Sequence, residues 1–364
     1  MTIVAHAHPY VVGVDTHAQN HVLSILAAAT GEQVDAAQFP AAEAAMARAL
    51  DWVARRTGGD LDVLWVIEGT GSYGSRLAAV AARRGYQVVE AARMDARSHR
   101  GVGKSDPLDA RRIAAAVLPL QVDQLRHPRR EDGVRAALRV LIMSRDAMTT
   151  ERTGYVNALT ALARTVDLGL DAREPLTNAQ IVEASHWRTR AEDVGAATAR
   201  AEAVRMAKRI TALTDELAEN TKHTLELLER SPARVLLEKI GIGPVTAAVV
   251  TAAWSHPGRL RDEAAFASLA GVNPIPASSG NTVRHRLNRG GDRRVNQALH
   301  VTVVTRMIHD PETRAYVERR LAEGRTRREI RRVLKRYLAR QIHRTLTAAY
   351  EAAASTAAGT PAPA

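Results

Sequence analysis

Val11-Val12-Gly13-Val14-Asp15 is a short β-branched apolar run that ends in an acid. Leu64-Trp65-Val66-Ile67-Glu68 repeats that form just before the turn residues Gly69-Thr70-Gly71-Ser72. Runs this short, bounded by turn residues, read as buried strands. Between them lie a second apolar run, Val22-Leu23-Ser24-Ile25-Leu26, a turn at Thr30-Gly31-Glu32, a third strand over 33–39 and an Ala-rich helix over 41–56. A helix over 73–84 follows the Leu64 run, with Gly85 as its C-cap, and Tyr86-Gln87-Val88-Val89-Glu90 reads as another strand. Three leading strands followed by helix–strand alternation predict an α/β domain of RNase-H-like type over 1–125. An acid at the carboxyl end of a buried strand is where α/β folds place ligand sites.

Lys104-Ser105-Asp106-Pro107-Leu108-Asp109-Ala110-Arg111-Arg112 supplies two more acids. Pro107 suits the first turn of a helix, where its missing N–H costs nothing. Asp106 and Asp109 are three residues apart, so their carboxylates share one helical face. Like charges that close repel, and a cation between them reverses the sign. Oxygen ligands of this kind suit Mg²⁺, with Mn²⁺ as the alternative. The same two residues would also serve as an N-cap and a first-turn partner of the helix dipole. Four acids in the order strand, strand, helix, helix fit a two-metal phosphoryl-transfer site, whose ions stand about 3.5–4 Å apart. His17 and His21 flank the first acid and read as neutral structural histidines.

The chain has 364 residues, enough for two or three domains. Lys plus Arg number 51 against 39 Asp plus Glu, a net charge of +12 that points to a polyanionic partner, most simply nucleic acid. Cysteine is absent, which excludes disulfides and thiolate zinc sites. No apolar run reaches transmembrane length and the N-terminus lacks a signal pattern, so a soluble cytoplasmic protein without membrane contact is expected.

Beyond a polar boundary at 126–132 the chain reads as a helical region over 126–230. Met206, Ile210, Leu213, Leu217, Asn220, Thr224 and Leu227 recur at heptad spacing. That register fits either packing within the domain or a coiled coil between chains. The last domain is expected over 231–350. Leu237 to Ala247 reads as helix, tight Gly241-Ile242-Gly243 turn and helix, a helix-hairpin-helix pattern in which glycines admit a phosphate. Ala270 to Asn281 is rich in Pro, Ser and Gly and reads as a loop. It runs into a basic segment with Arg284, Arg286, Arg289, Arg293 and Arg294, suited to phosphate contacts. Residues 311–350 are helical and basic, and 351–364 read as a disordered tail.

Taken in order, Gly13-Val14-Asp15-Thr16-His17, Glu68 to Gly74, Lys104 to Ala110, Gly241 to Pro244, Ala270-Gly271 with Pro274, and Ser279-Gly280 before the basic run resemble the DEDD transposases of the bacterial insertion-sequence-110 family. The resemblance spans roughly residues 11–345. It implies a RuvC-like N-terminal domain, a coiled-coil middle and a C-terminal transposase domain. It also implies that Asp15, Glu68, Asp106 and Asp109 bind Mg²⁺ or Mn²⁺, and that Ser279 is a nucleophile forming a covalent link to DNA. Lys104, Gly241, Gly243 and the five arginines would then contact nucleic acid. Donor and target DNA, a structured guide RNA and further copies of the chain are the partners it implies. A metal-and-water junction nuclease and a non-catalytic nucleic-acid scaffold are the alternatives.

Overall fold

The computed structural model describes residues 2–91, 106–130, 133–277 and 285–358. Lys104, Ser278, Ser279 and Arg284 lie outside the described residues. The chain divides into two compact units, Met1–Arg130 with Ser255–Ala265, and Glu131–Trp254 with Phe266–Ala364.

In the first unit a short helix α1 (Val4–Ala7) precedes strands β1 (Tyr10–Thr16), β2 (Asn20–Ala27) and β3 (Gln33–Pro40). Helix α2 (Glu43–Arg56), strand β4 (Leu64–Ile67), helix α3 (Ser75–Arg83), strand β5 (Gln87–Glu90) and helix α4 (Asp106–Ala115) follow. The five strands form one sheet in the order β3-β2-β1-β4-β5. β1 pairs antiparallel with β2 and parallel with β4, and β5 continues parallel to β4. β1 is central, covered on both faces, and Val11 to Asp15 are all buried. That is why it reads as a continuous apolar run, whereas edge strand β3 is part-exposed throughout and carries the polar residues Gln33, Asp35 and Gln38.

Strand alternation sorts the sheet into two faces. Val12, Val14, Leu23, Ile25, Trp65 and Ile67 pack with α2 and α3. Val11, Leu26, Leu64, Val66 and Val89 pack with Ile113, Ala114 and Val117 along α4 and the turn after it. Asp15 follows Val11 and Gly13 in the alternation, so it belongs to the α4 face. Gly13 is the point of closest approach. A Cβ there would lie 2.1 Å from the Ala110 carbonyl oxygen and 2.6 Å from the Ala114 nitrogen. Only glycine lets α4 lie this low on β1.

The second unit begins with two long helices, α5 (Gly133–Thr165) and α7 (Val194–Glu229), with the short α6 (Asn178–Ser185) between them. Arg145 donates to the Leu217 carbonyl and to Thr221, Arg152 donates to Thr214, and Arg209 pairs with Glu151. As numbers rise on α5 they fall on α7, so the two helices are antiparallel. Within the heptad series Met206, Ile210, Leu213, Asn220 and Thr224 are buried, and Asn220 donates to the Leu141 carbonyl. The seam is thus made with α5 of the same chain. At its C-terminal end Leu228 is buried and Leu227 only partly so.

Helices α8 (Pro244–Trp254), α9 (Glu263–Leu269), α10 (Arg293–His309), α11 (Pro311–Ala322) and α12 (Arg327–Ala358) complete the described chain, with a two-stranded ribbon of β6 (Ile275–Pro276) and β7 (His285–Arg286). Leu338, Ala339, Ile342 and Leu346 form the buried stripe of α12, and Trp254 meets Tyr350 with ring centroids 5.0 Å apart. Two expectations change here. The arm before Gly241 is a five-residue 3-10 helix, Pro232–Leu236, followed by turns, and only the arm after it is an α-helix. And α12 runs through Ala358, beyond residue 351 where a tail was expected, because alanine is the strongest helix former.

Candidate metal centre

Three local features build the candidate centre at the carboxyl ends of β1 and β4. Asp15 is the last buried residue of β1 and is only 7% exposed. Val14 pairs with Ile67 in the parallel ladder, and the Glu68 N–H donates to the Val14 carbonyl at 3.0 Å. The register therefore sets Glu68 beside Asp15, one step past the last β4 pair. Glu68 is exposed at the turn, with the Thr16 hydroxyl donating to its carbonyl at 3.0 Å. Helix α4, seated low by Gly13, brings Asp106 and Asp109 over the same strand end.

Asp15, His17 and Asp106 come together, with their ligand atoms all within 4.8 Å of one another. The His17 Nε2 stands 3.2 Å from Asp15 Oδ2 and 3.8 Å from Asp106 Oδ2. Asp109 is half-buried and paired with Arg112 at 3.0 Å. Burial pushes the Asp15 carboxyl above the usual carboxylate range. His17 opposes that shift, and Asp106 and Asp109 reinforce it by like-charge repulsion. The donor set fits a divalent cation on two grounds. The carboxylates repel one another at a buried strand end, and a positive ion between them relieves that repulsion. Mg²⁺ binds through one or two carboxylates and keeps its waters, while Mn²⁺ also accepts imidazole.

His17 is the residue that sequence reasoning read as structural. The available signal was its place two residues after Asp15, which in an extended chain puts both side chains on one face. His21 behaves as expected of a buried neutral imidazole: burial lowers its pKa, and neither ring nitrogen has a partner among the described residues. Glu90, also at a strand end, accepts from Thr70 at 3.1 Å and faces Arg259 at 3.8 Å.

The predicted nucleic-acid contacts in the second unit fare differently from one another. Gly241 has φ +79°, and a Cβ there would meet the Thr302 carbonyl oxygen at 3.0 Å, so its open face is taken by α10. Gly243 has open space around it. Arg286, Arg289 and Arg293 are exposed, whereas Arg294 pairs with Asp146 at 2.5 Å.

Comparison with known proteins defines the class first: residues 12–166 match the family profile of DEDD transposases. Residues 233–318 match a second profile, described as Transposase IS116/IS110/IS902 family. Over these two spans the chain is similar to insertion-element transposases of the IS110 type. An insertion element IS110 uncharacterized 43.6 kDa protein of Streptomyces coelicolor is 31% identical over 123 residues, 33% of this chain and 30% of that protein. An insertion element IS900 uncharacterized 42 kDa protein of Mycobacterium paratuberculosis is 27% identical over 280 residues, 63% of this chain and 67% of that protein. No helix among the described residues is long and apolar enough to cross a membrane.

Proposed function

We propose that this chain is the recombinase of an insertion element, cutting and rejoining DNA through a seryl ester at Ser279. The observation that carries this reading is the convergence of Asp15, His17 and Asp106 at one strand end, with Glu68 and Asp109 beside them. The sheet order, with three antiparallel strands followed by two parallel ones, supports an RNase-H-like, RuvC-like N-terminal domain. Asp15 and Asp106 would hold the ion, with His17, Asp109 and Glu68 completing or orienting its shell. A divalent cation bound there would supply Lewis-acid polarisation of the scissile phosphate and neutralise developing charge.

The Ser279 hydroxyl would lose its proton to a base and attack phosphorus. The bond to the sugar oxygen breaks, and that oxygen takes up a proton. One phosphodiester replaces another of similar energy, so the strand can be rejoined without an external energy source. In the chain Ser279 lies between β6 and β7, far in sequence from the acids. Delivery by folding or by a second copy would complete the site. The domain limits 1–125, 126–230 and 231–350, a homo-oligomeric assembly, a guide RNA and a cytoplasmic setting belong to the same reading.

The test is a denaturing gel of labelled element-end DNA with Mg²⁺, run alongside a recombination assay. Wild type and Ser278→Ala should give a protein–DNA adduct, and Ser279→Ala should give none while still binding DNA. Cleavage by Ser279→Ala without adduct would favour hydrolysis by metal and water at the Asp15 centre. An adduct with Ser279→Ala but not Ser278→Ala would move the nucleophile by one residue.

A further inference from the structure

A cleft of about 790 Å³ in the second unit is lined by residues 271–274 and 285–288 on one side and by α11, α12 and the turn between them on the other. Six cations line it, Arg286, Arg320, Arg325, Arg332, Lys335 and Arg336, against one carboxylate, Glu329. Glu329 is already committed, because it accepts from the Thr326 N–H and hydroxyl, both at 2.9 Å, at the start of α12. The Lys335 ammonium donates to Asn296 Oδ1 at 2.8 Å, and Asn296 in turn donates to the Ala270 carbonyl at 2.8 Å. That chain fixes the ammonium in place without neutralising it. The Arg336 Nη1 is buried and has no hydrogen-bond partner among the described residues. Burial, with Arg332 and Arg331 nearby, pulls the Lys335 pKa down, as expected of a cation held without a counter-ion.

The wall of the same cleft carries an aromatic side chain. Tyr337 is 52% exposed and lines the cavity. Tyr316 stands edge-on to it at 6.3 Å between centroids, with the Arg319 guanidinium 5.3 Å from the Tyr316 ring. Exposed aromatics beside phosphate-holding cations are how proteins bind single strands: bases stack on the ring and the backbone follows the charge. The cavity lies within the range of about 300–1,000 Å³ that small organic ligands occupy, a size that suits a single base better than a base pair held in a duplex.

We propose that this cleft seats one unpaired nucleotide of a single strand, with its base on Tyr337 and its phosphate between Lys335 and Arg336. The inference rests on the nucleic-acid reading above and narrows it to a strand form and a place.

The test uses the full chain and fluorescence anisotropy with a short labelled oligothymidylate, an oligouridylate and a duplex of equal length. Tyr337→Ala should weaken single-strand binding by about 5- to 150-fold, the range that stacking of one base carries. Tyr337→Phe should bind as wild type, since the ring is kept. Lys335→Gln should lower the single-strand salt slope by about 0.7, one phosphate's worth. Duplex binding should be unchanged by all three. A loss confined to one of the two oligonucleotides supports the seat and tells DNA from RNA. Unchanged single-strand affinity of Tyr337→Ala, or an equal loss on the duplex, would overturn the proposal while leaving the nucleic-acid reading intact. Binding of neither strand nor duplex by the wild type would sink that broader reading, and the seat with it.

Discussion

Replacing Gly13 by alanine tests whether the seating of α4 on β1 makes the candidate metal centre. The added Cβ would stand 2.1 Å from the Ala110 oxygen and 2.9 Å from the Ala114 Cβ. Both neighbours are part of the helix, so no flexible side chain can swing aside. Relief to a 3.0 Å contact moves the helix by at least about 0.9 Å at Ala110. Overpacking of this kind costs about 1–3 kcal/mol. In a unit of this size that lowers the melting temperature by about 3–10 °C. Asp106 and Asp109 ride on the first turn of that helix and move with it. A shift near 1 Å exceeds the roughly 0.5 Å tolerance of a preorganised site. Wild type should therefore melt higher in added Mg²⁺ or Mn²⁺, because the ion binds only the native state, and Gly13→Ala should lose that response. The assay is thermal unfolding by circular dichroism with and without metal. Gly154→Ala is the control: it lies in α5 with nothing within 4 Å of the added carbon, and it should gain about 0.5–1 kcal/mol. A Gly13→Ala protein with wild-type melting and an intact metal response would refute the reasoning.

Asp106→Asn should cut strand cleavage by more than about 100-fold, beyond what loss of an outer-shell partner costs, with the fold retained by circular dichroism. Asp15→Asn should raise the melting temperature in the absence of metal, because it removes a buried carboxylate repelled by Asp106 and Asp109, while it abolishes cleavage. The Asp171 carboxyl, hydrogen-bonded by Arg173, should titrate at about 2, and Arg173→Ala should return it toward 3.8 by NMR. Since the folded value is depressed, the pair's contribution is present above 3.8 and disappears as pH falls through about 2. Replacing Arg284, Arg286 and Arg289 together with Ala should flatten the salt dependence of nucleic-acid binding, by about 0.9 for each duplex phosphate or about 0.7 for each single-strand phosphate no longer neutralised, read from a log–log plot of affinity against salt.

The strands and the Asp106 helix were legible in the sequence because their signals are local. β-branched runs end at turn residues, Pro107 marks a first helical turn, and three-residue spacing puts two acids on one face. The two faces of the sheet follow from alternation alone, which sets Asp15 on the side that α4 covers. Other features were decided only by packing. The heptad series on α7 was compatible with a partner in another chain, and its register carries no record of which helix it meets. The Arg145, Arg152 and Asn220 hydrogen bonds give it to α5. Gly13 and Gly241 read as a strand residue and a phosphate-approach residue, yet both make room for a neighbouring helix, and steric clearance between distant segments leaves no mark on spacing. His17 joins Asp106 across almost ninety residues of chain, and Lys335 finds Asn296 thirty-nine residues away. Local sequence sets which groups a segment carries and the face on which they lie; distances between segments come from how their apolar faces close on one another, and the chemistry of both sites depends on those distances.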